Sequence, residues 1–188
     1  MTDQRAQIAS RETPAGEPSR PPAGTAPAFG RSSVFVVAPV VAGLYAALGV
    51  LTLGLAQMTG LASPVWPAAG LAFAAALRWR WRALPGVFAG SAGVNALWLA
   101  RLGEPASQTW AVAVAIGVGA TLGAAAAATL VHRFVGPVRR LDTPRVVIPT
   151  LALGGLLASA IAPTVGVAAQ LAAELLAPSQ AAFGWLTW

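Results

Sequence analysis

Ser32–Leu77 reads SSVFVVAPVVAGLYAALGVLTLGLAQMTGLASPVWPAAGLAFAAAL, 46 residues without a charge. As a single helix this stretch would be about 70 Å long at ~1.5 Å per residue, more than twice the ~30 Å hydrocarbon core of a bilayer. It must therefore fold back on itself, and its turn residues gather at Thr59–Gly60, just before Ser63–Pro64. The expected spans are Val34–Met58 and Pro64–Leu77. The second is short for a crossing unless Leu61–Pro67 enters the membrane in extended form.

Towards the C-terminus the uncharged runs Ala83–Ala100, Pro105–Val131 and Val146–Ala173 predict three more spans. The third opens with Leu84–Pro85–Gly86, proline being well tolerated in a first helical turn. The fourth starts near Thr109. The fifth carries Pro149 and Pro163, which predict a kink or break near Ala162–Thr164. Gly184–Trp188 begins another apolar segment, so the expectation is an all-α, polytopic transmembrane helix bundle of about five to six spans over residues 32–188, incomplete at its C-terminus. Residues 1–31 are polar and hold Pro14, Pro18, Pro21, Pro22 and Pro27. That composition predicts a disordered tail. Its apolar stretch starts too late for a signal peptide, which leaves the first span as an uncleaved anchor.

Composition agrees. Hydrophobic residues make up 56% and charged residues 10%, against about a quarter charged in soluble chains, so the chain cannot supply a polar shell. Without cysteine it has no disulfide and no thiolate metal site. The net charge of +6 resides in arginines clustered between apolar runs, the habit of a membrane protein, and nucleic acid is not an expected partner. With a cytoplasmic N-terminus, eleven of the twelve arginines fall on the inner side and only Arg101 outside, as the positive-inside rule requires. The expected location is the inner (plasma) membrane, crossed several times.

No metal cluster, nucleophile–base set or phosphate loop is present in the sequence, so neither catalysis nor a cofactor is expected. His132, beside Arg133, is expected to be a polar residue at the interface. Glu174 is the one acid within an apolar segment, and its place near the outer surface favours a solvated role over a functional one. Gln57, Asn95, Thr121 and Gln170 are expected to hydrogen-bond between helices. Gly86, Gly90 and Gly93, with Gly119 and Gly123, give small-xxx-small spacings for close helix approach. Trp79 and Trp81 alternate with Arg78, Arg80 and Arg82 as a headgroup-anchoring belt.

The candidate site is Ser63–Pro64–Val65–Trp66–Pro67–Ala68–Ala69–Gly70. Two prolines around a tryptophan predict a non-helical segment, and irregular backbone at membrane depth must be buried in protein or line a cavity. Trp66, Pro67 and Asn95 are the candidate ligand-binding residues. The alternative is that they fix a tight helix–helix contact.

These residues resemble a known family. Ser63–Gly70, then Leu84–Pro85–Gly86–Val87–Phe88–Ala89–Gly90 with Asn95, then Ala162–Pro163–Thr164–Val165–Gly166–Val167, and finally Trp185–Leu186–Thr187–Trp188 are similar in order and spacing to the membrane-associated sensor domain of the first MASE type. The resemblance implies a non-catalytic bacterial sensory input module of about eight spans, ahead of a cytoplasmic histidine kinase or diguanylate cyclase. Such an output domain, the lipid bilayer and a second copy of the chain are the candidate partners. Thr121–Leu122 is followed by Gly123 where the family often has an acid. The alternatives are a small-solute transporter or channel, against which the lack of ionisable residues in the first four spans argues, and a truncated remnant.

Overall fold

A computed structural model of the chain describes residues 33–59, 66–136 and 143–187. The expected disordered tail and residues 63–65 of the candidate segment lie outside the described residues. The described residues all belong to the unit Ser32–Trp188, and every regular element among them is helical.

Helix α1 (Val34–Thr59) ends where the turn was expected. Val37, Val41, Tyr45 and Thr52 turn inward, while Phe35, Val36, Val40, Leu44, Leu51 and Leu55 remain exposed. A helix with an apolar outer face as well as an apolar inner one suits a lipid surrounding. Helix α2 (Pro67–Trp79) begins with Pro67 at its first position, after Trp66 in a non-helical conformation (φ −109°, ψ 87°). Residues 67–70 were expected to be non-helical and instead form the first turn of α2. Proline fits there because the first N–H of a helix has no partner within it.

Arg80 ends α2 with φ 52°, its N–H reaching the Ala76 carbonyl. This is a left-handed position usually held by glycine. A short 3-10 turn, Arg80–Arg82, leads into α3 (Leu84–Arg101). The guanidinium groups of Arg78 and Arg82 lie 5.9 and 5.5 Å from the ring centres of Trp79 and Trp81, so the belt holds itself in place by cation–π attraction.

Lipid tails are as apolar as leucine, so helix association in a membrane depends on close fit. At Gly90 an added Cβ would lie 2.8 Å from Tyr45 Cβ and 2.9 Å from the Ala42 carbonyl oxygen, and at Gly86 it would run into the Ala38 carbonyl. These two glycines seat α3 on α1. Helix α4 (Ala106–Phe134) is the centre of the bundle, packed against α2, α3 and the helix that follows. Its outer stripe of Trp110, Val114, Val118 and Leu122 is exposed, again at the four-residue spacing of one helix face.

Helix α5 (Pro144–Ala172) is regular at Pro144–Thr150 and Ile161–Ala172. Between them lie a π-helical segment, Leu151–Leu157, and a 3-10 turn, Ala158–Ala160. The break expected at 162–164 thus falls a turn earlier. Pro163 offers no N–H and its ring crowds the carbonyl four residues back, so the ladder fails on the N-terminal side of the proline. Helix α6 (Ala181–Thr187) returns along α5, and Trp185 Nε1 donates to Thr164 Oγ1 at 3.0 Å.

Among the described residues, α1, α4 and α5 are long and apolar enough to cross a membrane. Helix α2, with 13 residues, rises only about 20 Å. Helix α3, with 18 residues, carries Asn95 and ends on Arg101.

Candidate functional site

Helices α1 to α5 together line a partly open cavity of about 520 Å³, within the range of small-molecule sites. Helical periodicity builds its walls. On α3 the lining residues are Ser91, Asn95, Trp98 and Leu99, and on α4 they include Val112, Ile116, Ala120, Gly123 and Ala127. Both series follow the three- and four-residue steps of a single face. Glu104 and Leu102 lie on the link from α3 to α4, at the end of the bundle opposite the arginine turn.

Trp66 and Asn95 both line this cavity; Pro67 does not, and is exposed at the start of α2. Trp66 Nε1 lies 3.4 Å from the Tyr45 hydroxyl, a long hydrogen bond that ties α2 to α1. Asn95 Nδ2 donates to the Ser91 carbonyl at 2.8 Å, and Thr121 Oγ1 donates to the Gly117 carbonyl at 2.7 Å. Both were expected to bond between helices, and both bond within their own. Short polar side chains satisfy themselves on the carbonyl four residues back where no water competes. Larger rings supply three side-chain bonds between helices: Trp66 to Tyr45, Trp185 to Thr164, and His132, whose Nε2 lies 3.3 Å from the Leu77 carbonyl. Gln170 lines the cavity from α5. The side chain of Gln57 lies outside the described residues. Glu174 is exposed, in a left-handed conformation (φ 59°) after α5, and is not a lining residue.

Sequence reasoning missed Ser91. Its hydroxyl is buried, at 1% exposure, with no hydrogen-bond partner, on the cavity wall. Its position one turn before Asn95 was the available signal. Tyr45, Phe73 and Trp98 were also missed, and with Trp66 they give the cavity its aromatic surface. Among the described residues no three His, Cys, Asp or Glu side chains gather as metal ligands. The arrangement is suited to binding.

An all-helical bundle with apolar stripes on its outer faces and a cavity between its helices defines a helical membrane protein. The MASE1 family profile matches residues 33–188, and the chain belongs to the MASE1 family of membrane-associated sensor domains. No curated protein and no solved structure matches the chain.

Proposed function

We propose that this chain is the sensory input module of a bacterial signalling protein, that the cavity is its sensing site, and that the state of the site is passed to a cytoplasmic output domain such as a histidine kinase or diguanylate cyclase. The observation that carries this reading is that α1, α2, α3, α4 and α5 all contribute to the cavity wall. An occupant touches every one of them, and a ligand shifts a conformational equilibrium by its differential contacts with the two states. On this reading the module is not itself catalytic.

In a full-length protein carrying its output domain, Trp66→Phe and Asn95→Ala are each expected to change output activity while leaving folded yield in detergent nearly unchanged. Lower yield with an intact response would make these residues structural and sink the cavity as the sensing site.

The proposed topology is five crossings of the inner membrane, with the N-terminus, the Arg80–Arg82 turn and the Arg133–Arg145 link in the cytoplasm. Single cysteines placed in this cysteine-free chain are expected to react with an impermeant reagent added outside at Gly103 and not at Asp142. The opposite pattern would invert the topology.

A further inference from the structure

Three polar side chains on the cavity wall have unused hydrogen-bonding capacity. The Ser91 hydroxyl is buried and unpartnered. Asn95 spends one Nδ2 hydrogen on the Ser91 carbonyl, which leaves its Oδ1 and second hydrogen. Tyr45, 3% exposed, accepts from Trp66 Nε1, which leaves its own O–H to donate. A buried hydroxyl without a partner bears a desolvation cost that a bound acceptor would relieve.

The remaining wall is mainly apolar and aromatic, with Phe73, Trp98 and Ile116 among its residues, and the uncharged polar side chains of Thr52, Ser159 and Gln170 complete it. Among the described residues no arginine or histidine lines it, and the carboxylate that does is Glu104. An anion would meet no counter-charge, and an unpaired charge in such surroundings is strongly disfavoured. A pure hydrocarbon would fill the space but leave the O–H donors of Ser91 and Tyr45 unused.

We infer that the cavity binds an uncharged aromatic molecule bearing a carbonyl or comparable acceptor oxygen, which receives hydrogen bonds from Ser91 and Tyr45. The inference rests on the cavity being the sensing site and names the chemistry that it senses.

Three probes of nearly one shape test it: 2-acetylnaphthalene (uncharged, with a carbonyl), 2-naphthoate (anionic) and 2-ethylnaphthalene (no acceptor). Their binding is measured by equilibrium dialysis against the full chain in lipid nanodiscs, with empty nanodiscs as reference. The ketone is expected to saturate at one molecule per chain and the naphthoate to bind at least about tenfold more weakly, for want of a counter-charge. Ser91→Ala is expected to weaken the ketone about fivefold, the factor carried by one net hydrogen bond, and to leave 2-ethylnaphthalene unchanged. Equal binding of all three probes overturns the proposal. So does uptake that never saturates and matches empty discs, as when a lipid chain fills the space. The comparison of ketone with naphthoate needs no variant, so it stands even if Ser91→Ala folds poorly. Selective ketone binding with no effect of Trp66→Phe on output would keep this ligand chemistry and remove the sensing role. An altered output with unselective binding would do the reverse.

Discussion

Gly90→Ala is expected to lower the thermal stability of the purified bundle and Gly93→Ala to raise it, although both glycines stand on α3, three residues apart. Alanine favours a helix interior over glycine by about 1 kcal/mol, and at Gly93 nothing lies within 4 Å of the added methyl. At Gly90 the same methyl would sit 2.9 Å from the Ala42 carbonyl oxygen and 2.8 Å from Tyr45 Cβ. Neither a backbone oxygen nor a Cβ can swing aside, and overpacking of this kind costs about 1–3 kcal/mol, more than the propensity gain. Leucine amplifies the contrast: Gly90→Leu is expected to abolish folded yield and Gly93→Leu to preserve it. The check is the midpoint of thermal unfolding in detergent. Shifts of the same sign at the two positions would refute the seating of α3 on α1.

Phe73→Leu is expected to rescue much of the damage done by Gly154→Ala. In the π-helical part of α5, a Cβ on Gly154 would stand 2.8 Å from Cε1 and Cε2 of the Phe73 ring. The ring must move, and since both residues line the cavity, the space beside it is the cavity itself. Gly154→Ala alone is therefore expected to reduce both stability and ketone uptake. With leucine at position 73 the obstruction is gone, and a double-mutant cycle should return a coupling of about 1–2 kcal/mol. Strict additivity would mean that the ring and the α5 backbone do not press on each other.

Long uncharged runs and arginine clusters made the helical class and the order of the segments legible in the sequence, because bilayer thickness sets a length that a reader can count against. The helix start at Pro67 was harder to see. Proline breaks a helix from within and opens one at its first position, and the sequence Trp66–Pro67 does not say which applies until the helix is placed. The distortion in α5 was foreseen through Pro163 but set too late, since the damage falls on the preceding turn. Trp66 and Asn95 were legible because large or polar residues stand out in an apolar chain. Ser91 and Tyr45 were not singled out. Which of two neighbouring side chains faces the cavity depends on the rotation of a helix, and apolarity on every face leaves that rotation unmarked.

The left-handed bend at Arg80 bears on how the protein is made. A glycine would take φ 52° without steric cost, yet the tip of the α2–α3 hairpin keeps a third arginine between Arg78 and Arg82 in the sequence. Dragging three arginines through the bilayer interior would cost about 8–10 kcal/mol in sum on insertion scales. In the proposed topology the tip would stay on the ribosomal side during biosynthesis. On that topology the two flanking helices, α2 with only 13 residues and α3 with Asn95 and a terminal Arg101, would enter together as a unit.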